Sequence, residues 1–165
     1  MYVPFDSLED SSRIWVYQAG RKFTESERNT ISEMLLAFTH QWAAHGVPLK
    51  TSFRIFHDQF IVLAADESFE QASGCSIDGA MRTMQQIDRQ FKLDLFDRTK
   101  VAFFKDPVLV VNQSDLLKTL EQGIWKRDTL TFNNVLNTKG ELATKWIVPA
   151  SQTWLKRYLP TAMQA

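Results

Sequence analysis

Apolar residues recur at helical spacing in two long stretches of the chain. In each stretch they stand three and four positions apart, so they line one face of an amphipathic helix. These positions are Ile31, Met34, Leu35, Phe38 and Trp42 in the first stretch and Ile77, Met81, Met84, Ile87 and Phe91 in the second. The pattern predicts two long helices, the second of them over about residues 76–91.

Local signals predict where the first helix begins and ends. Thr24 precedes Glu27 by three positions, which makes a capping box that satisfies two backbone donors reciprocally. Gly46 is a natural C-terminal cap, and Pro48 prevents the helix from continuing. We therefore expect the first helix between Thr24 and Gly46.

Runs rich in β-branched and aromatic residues predict strands between these helices and around them. They cover residues 13–18, 51–57, 60–65 and 100–104, with Asp58-Gln59 as the turn between the middle two. The resulting order is strand, helix, strand, strand, helix, strand. That order is typical of a ferredoxin-like α+β fold (βαββαβ), in which two helices cover one face of an antiparallel sheet.

The remaining chain predicts an arm and a smaller extension. Residues 1–11 read as an extended N-terminal arm anchored by Tyr2 and Phe5, and residues 12–105 form the ferredoxin-like domain. Residues 106–165 form a C-terminal α+β extension with short strands at 108–111 and 129–132 and a helix over 114–122. Its last helical turns, within 151–159, are expected to point Trp154 inward, and residues 160–165 are expected to fray.

Composition narrows the functional classes. The chain has 165 residues, of which 44% are hydrophobic, and its 19 basic residues balance 19 acidic ones. This balance argues against electrostatically driven binding of nucleic acid or of a membrane surface. A single cysteine cannot form an internal disulfide, no apolar run approaches the ~18 residues of a membrane span, and the start lacks the pattern of a signal peptide. We expect a soluble cytoplasmic protein with no membrane span.

The stretch at residues 73–79 is the first candidate site, because it contains the only cysteine at the start of the second helix. Backbone donors and the helix dipole stabilise a thiolate there. A thiol nucleophile also needs a base, and the histidines that qualify are His45 and His57. The alternative is that Cys75 is a small buried residue, with Ser73 or Ser76 as the N-cap and Asp78 as a first-turn acid.

Other ligand candidates in this stretch and elsewhere have structural alternatives. Gly74 belongs to the same helix start as Cys75, whereas Asn133 and Asn134 follow a short strand, where amides either rim a ligand site or make a turn. Trp125, beside Lys126 and Arg127, is the tryptophan expected to be exposed.

A metal site is not predicted from the histidines. His40 and His45 stand five positions apart, so they lie on different faces of a helix. We predict no cofactor either.

Most of the chain resembles a family of short uncharacterised bacterial proteins commonly labelled "ABC transporter ATPase". The matching segments are MYVPFD at residues 1–6, SRIW at 12–15, QWAAHG at 41–46, SGCSID at 73–78, LFDR at 95–98 and FNN at 132–134. The resemblance implies no catalytic residue, because the family has no established activity to carry over. The residues around Gly74 and Gly79 argue against the ATPase activity that this label implies.

A phosphate-binding loop has the pattern Gly-x-x-x-x-Gly-Lys-Ser/Thr, in which lysine contacts the phosphates and the hydroxyl binds Mg²⁺. Gly74 and Gly79 have the required separation, but Ala80 and Met81 follow them. ATPase activity is therefore not predicted.

The C-terminal third also resembles the bacterial GYF-type module. The matching segments are LL at 116–117, EQGI at 121–124, DTLTF at 128–132 and WIVPA at 146–150, although the Gly-Pro-Phe/Tyr signature is missing. Such modules bind peptides, often proline-rich ones. The resemblance implies a separate subdomain over residues 99–159 whose first hairpin is 100–111.

The sequence thus predicts a non-catalytic module that binds a small ligand or a protein or peptide partner. The alternative is a thiol-dependent enzyme or redox-responsive protein that uses Cys75, with His45 or His57 as its base.

Overall fold

The computed structural model describes residues 1–68, 71–72 and 74–161, except for the side chain of Cys75. The chain divides into two compact units. The first contains Met1–Phe96 and Leu136–Glu141, and the second contains Asp97–Val135 and the chain from Leu142 onward. Each unit has its own cluster of buried apolar residues.

The first unit contains a sheet and two long helices. Its elements are β1 (Arg13–Gln18), α1 (Glu25–Gln41), β2 (Ala43–Ala44), β3 (Val47–Pro48), β4 (Lys50–Phe56), β5 (Phe60–Asp66) and α2 (Gly74–Phe91). Strand β5 is central, because it pairs antiparallel with β1 on one side and with β4 on the other. Every residue of β5 except the last is buried, as its uninterrupted apolar run predicts.

Both helices pack on the same face of this sheet. Ile61, Leu63 and Ala65 alternate along β5 and so point to one side of it. They share a buried cluster with apolar residues of both helices, among them Leu35 of α1 and Met84 of α2. The predicted arrangement of two helices on one face of an antiparallel sheet is confirmed.

The ferredoxin-like topology is not what the described residues form. It requires residues 100–104 as a fourth strand of this sheet. Instead, β6 (Lys100–Phe103) belongs to the second unit and pairs with β7 (Leu109–Asn112). The β6–β7 pairing closes a short local loop, whereas joining the first sheet requires a long-range contact that costs more chain entropy.

The capping box at the start of α1 is present as predicted. The Glu27 backbone N–H donates to Thr24 Oγ1 at 3.1 Å, and the Thr24 N–H donates to the Glu27 carboxylate at 2.9 Å. Arg21 adds two charge-assisted hydrogen bonds to that carboxylate, at 2.8 and 2.7 Å. The Arg21 guanidinium, together with the Thr24 hydrogen bonds, lowers the pKa of Glu27 to about 2.

The predicted C-terminus of α1 is wrong. The helix ends at Gln41, and β2 and β3 form a small hairpin after it. His45 and Gly46 make the hairpin turn with φ values of 49° and 75°, the positive pair that a two-residue type I′ turn requires. Gly46 therefore shapes a β-turn rather than a helix cap.

The turn between β4 and β5 is shifted by one residue from its predicted place. Its central residues are His57 and Asp58, with φ values of 54° and 50°. The Gln59 N–H closes the turn onto the Phe56 carbonyl oxygen at 3.0 Å. The Gln59 side chain is buried instead, and its Nε2 donates to the Ala19 carbonyl oxygen at 3.1 Å.

The N-terminal arm is anchored as predicted. Tyr2 forms a parallel bridge with Thr51 of β4. Phe5 is buried and meets the Phe56 ring edge-on, with 6.0 Å between ring centroids. The Arg54 guanidinium lies 4.7 Å above the Phe5 ring, so the arm is fixed by both apolar and cation–π contact.

The second unit contains a four-stranded antiparallel sheet in the order β7-β6-β8-β9. Its further elements are α3 (Leu116–Glu121), β8 (Leu130–Phe132) and β9 (Ile147–Pro149), followed by short 3₁₀ turns. The short helix α4 (Glu141–Thr144) also belongs to it, except for its first residue. Leu116 of α3 shares a buried cluster with Val101 and Val111 of the β6–β7 hairpin. The hairpin expected at residues 100–111 is therefore present, and the helix that follows packs on it.

Among the described helices, none combines the length and the apolar character needed to span a membrane. The cytoplasmic location expected from the sequence stays a prediction.

We expect Glu27→Ala to destabilise the protein by about 1 kcal/mol near neutral pH, because it removes the capping box and the partner of Arg21. The native pKa of Glu27 lies below its ordinary value of 4.5, so this stability exists above that value. It disappears as the pH falls from about 4.5 toward 2. Urea unfolding of both proteins across this range measures the difference.

Two further variants separate the contributions of the cap and the charge. Glu27→Gln keeps an acceptor for the Thr24 N–H and is expected to lose only part of the stability. Glu25→Gln removes a first-turn charge without touching the capping box. A Glu27→Ala effect that does not change with pH would contradict this account.

Candidate functional site

One of the two caps predicted for the start of α2, Ser76, is not in the capping position. The helix begins at Gly74, so Ser76 lies inside it and is buried rather than capping it. Asp78 is exposed and lies beyond the first turn. Ser73 and the side chain of Cys75 lie outside the described residues. The predictions for Ser76 as N-cap and for Asp78 as first-turn acid are wrong, because the helix starts earlier than its apolar pattern indicates.

A buried hydrogen bond joins the end of α1 to the start of α2. Trp42, the residue that follows α1, donates from Nε1 to the Ser76 carbonyl oxygen at 3.0 Å. The two helix ends are therefore neighbours, as expected. His45 lies three residues beyond Trp42 and is exposed in the hairpin turn. A pairing of His45 with the Cys75 thiol stays a prediction.

His57 lies at the opposite end of the unit from Cys75. Its neighbour Asp58 pairs with Arg28, near the start of α1, at 2.9 Å. The end of α2 is also on this side, because Arg21 donates to the Phe91 carbonyl oxygen at 2.7 Å. The 18 residues of α2 span about 27 Å. His57 thus lies toward the far end of α2 from Cys75, which disfavours it as the base, and its assignment stays a prediction.

The Gly-x-x-x-x-Gly spacing in α2 is helical. Gly74 and Gly79 both lie within the helix, and neither has a φ in the left-handed region. A phosphate-binding loop needs non-helical backbone between a strand and a helix. The helical backbone and the missing lysine and hydroxyl therefore both argue against an ATPase site.

The side chains of the two asparagines considered as a ligand rim both make hydrogen bonds within the second unit. Asn134 Oδ1 accepts a hydrogen bond from Trp146 Nε1 at 2.9 Å. Asn133 Oδ1 accepts a weak one from the Val135 N–H at 3.4 Å. The bond of Asn133 to the backbone two residues on fits the turn alternative, whereas Asn134 serves a contact twelve residues away, and a ligand role for either stays a prediction.

The predictions for two tryptophans are wrong. Trp125 is fully buried, stacks on Phe103 at 5.4 Å and donates from Nε1 to the Leu116 carbonyl oxygen at 2.9 Å. Trp154 has 42% of its surface exposed, while its neighbour Leu155 is buried. Residues 154–158 form a 3₁₀ helix, so positions three apart share a face and the α-helical pattern does not apply.

The structure shows a groove that the sequence patterns did not single out. It has a volume of about 660 Å³ and lies between α1 and α2, lined by Phe38, Gly79, Arg82, Thr83, Gln85, Gln86 and Arg89. All of these except Phe38 belong to α2, where they recur three and four positions apart along one edge. That spacing is visible in the sequence, but a polar helical edge ordinarily indicates only a solvated face.

The charged side chains that line the groove are all positive. Arg82 and Arg89 line it, and no carboxylate does. Across the described part of the chain, no ion pair involves either arginine. Asp78 stands one turn before Arg82 without pairing with it. The lining therefore has positive charge only, although α2 as a whole has two aspartates beside its two arginines.

The apolar wall of the groove is the Phe38 ring, which contacts Trp42, the residue whose hydrogen bond joins the two helices. The Phe38 ring lies 5.0 Å from the Trp42 ring. Gly79 faces Phe38, and a Cβ at that position would meet the ring at 4.0 Å. The Thr83 hydroxyl donates back to the Gly79 carbonyl oxygen at 3.1 Å. The lining thus offers cations, amides and one aromatic ring, and its one hydroxyl is engaged within the helix.

No group of three histidine, cysteine, aspartate or glutamate side chains is arranged for a metal ion in the described ranges.

No family model matches the chain, and neither a curated protein nor a solved structure does. The two family resemblances drawn from sequence segments stay predictions.

We expect Trp42→Phe to destabilise the protein by about 1–3 kcal/mol, because it removes the hydrogen bond to Ser76 and leaves a small cavity. Urea unfolding measures the change. Trp154→Phe is the matched control, since that indole is exposed, and it is expected to change stability by less than about 0.5 kcal/mol. Equal effects of the two substitutions would show that the Trp42 hydrogen bond does not support the helix pair.

The thiol alternative predicts that Cys75 reacts rapidly well below the ordinary thiol pKa of ~8.5. Labelling rates measured against pH test it, and a thiol that reacts only in the unfolded protein would exclude it. If a histidine assists, His45→Ala slows labelling at neutral pH. His57→Ala is expected to leave the rate unchanged, because His57 lies at the other end of the unit.

Proposed function

We propose that this protein is a non-catalytic binding module that takes a small anionic ligand in the groove between α1 and α2. The observation that carries the proposal is the pair Arg82 and Arg89, which line the groove without any carboxylate. Guanidinium groups bind phosphate and carboxylate through two parallel hydrogen bonds and stay charged at all physiological pH values.

The dimensions of the groove fit such a ligand. Its volume of about 660 Å³ falls within the range of about 300–1,000 Å³ that small-molecule sites occupy. The two arginines are seven residues apart, so their Cα atoms are separated by about 10 Å along the helix. Long flexible side chains at that spacing can converge on two negative groups of one molecule. The Phe38 ring offers an apolar surface for the rest of it.

The lining favours binding over catalysis. It has no histidine, cysteine or carboxylate to move a proton or attack a substrate. Gln85 and Gln86 add neutral hydrogen-bonding groups that suit a polar ligand. We infer that the bound molecule is a small phosphorylated compound or polycarboxylate. No side chain of the lining coordinates a metal ion for it.

The GYF-like peptide-binding function of the second unit stays a separate prediction. The packing of α3 on its own hairpin supports it. Phe132 and Trp146 count against an open aromatic groove, because only 6% and 3% of their surfaces are exposed.

Calorimetric titration with inorganic tripolyphosphate tests the proposal, with citrate as a polycarboxylate probe. We expect Arg82→Gln and Arg89→Gln each to weaken binding about tenfold, because one charge-assisted hydrogen bond contributes about 1.5–3 kcal/mol. Binding should also weaken with added salt, as expected for charged groups near water.

Arg98→Gln is the matched control, since Arg98 is an exposed arginine outside the groove. It should leave the affinity unchanged. A loss of affinity as large as that of the groove variants would mean that the anion binds to positive charge in general. Absence of binding to both probes would contradict the proposed ligand class.

A further inference from the structure

The second unit displays an aromatic and cationic cluster on its last 3₁₀ helix. It consists of Trp154, Arg157 and Tyr158, and we name it the Trp154 cluster. The Arg157 guanidinium lies 5.2 Å from the centroid of the Trp154 ring, and the Tyr158 ring lies 5.9 Å from it. Because a 3₁₀ helix has three residues per turn, Trp154 and Arg157 stack on one face while Leu155 points into the core.

Trp154 differs from three other tryptophans of the chain. Trp42, Trp125 and Trp146 are buried, and each indole N–H donates to an oxygen atom of the protein. Residue Trp154 has 42% of its surface exposed, and its indole N–H has no acceptor among the described residues. A large ring with an unused donor is suited to a partner that buries the ring and accepts the hydrogen bond.

The surrounding chain is positively charged. Residues 142–161 contain Lys145, Lys156 and Arg157 and no aspartate or glutamate. The complementary occupant therefore carries negative charge.

The residue types favour a protein partner. Tryptophan, tyrosine and arginine are the side chains that dominate the binding energy of protein interfaces. We propose that the Trp154 cluster binds an acidic segment of a partner protein. An apolar side chain of the segment packs on Trp154, while its carboxylates pair with Arg157 and Lys156. This site is independent of the anion groove in the first unit.

Fluorescence anisotropy with a labelled peptide, Asp-Glu-Asp-Phe-Glu-Asp, tests the proposal. The titration uses the 165-residue chain with Arg82→Gln and Arg89→Gln, so that binding in the groove does not contribute. We expect saturable binding that weakens at least about fivefold in Trp154→Ala and in Arg157→Gln, because each removes a contact of the cluster. Trp154→Phe should keep part of the affinity, and Arg98→Gln all of it.

Three outcomes would overturn the proposal. The first is equal affinity for the peptide with Asn and Gln in place of Asp and Glu. The second is tighter binding of oligothymidylate, which would make the cluster a stacking platform for single strands. The third is self-association in sedimentation that Trp154→Ala abolishes, which would assign the surface to a second copy of the chain. Circular dichroism confirms that each variant is folded.

Discussion

The buried hydrogen bond from Trp42 to the Ser76 carbonyl oxygen is the constraint on which the first unit depends. It fixes the end of one long helix against the start of the other, at the point where the chain leaves helical geometry. The Trp42 ring also contacts Trp15 at 5.3 Å and Phe38 at 5.0 Å, so one side chain joins the sheet, the helix contact and the groove wall. Buried polar groups of this kind specify a single arrangement, because the alternatives leave a donor without a partner.

The groove follows from that arrangement and from the charges along α2. The apolar face of α2 is used for packing, so the polar edge beside α1 is left to solvent with Arg82 and Arg89 on it. Their charges are balanced elsewhere in the sequence and not inside the groove. The total charge of the protein therefore says little about its ligands, whereas the two arginines of the lining support the anionic ligand that we propose.

Local features of the sequence predicted local structure well. The capping box of Thr24 and Glu27 needs only a few residues to form, and it is present with both of its hydrogen bonds. The apolar run of β5 required burial on both faces, and the central strand provides it. The existence of the two long helices and their common face of the sheet followed from apolar periodicity, whereas the end of α1 and the start of α2 did not.

Features that depend on distant residues were predicted poorly. Lys100–Phe103 has the composition of a strand, but composition does not choose between two sheets. Gly46 suits a helix cap and a type I′ turn equally, and the hairpin decided between them. Trp125 is flanked by cations in sequence, yet its ring fills the core of the second unit. The groove was not predicted, because the sequence does not show that Phe38 of α1 packs beside the polar edge of α2.

Chemical-shift mapping of backbone amides during titration with tripolyphosphate tests the central claim most directly, because it locates the anion without substitution. The account predicts shifts concentrated at Phe38, Gly79, Thr83 and Gln86, which line the groove on both helices. Shifts scattered over the surface, or centred on Lys156 and Arg157 in the second unit, would contradict it.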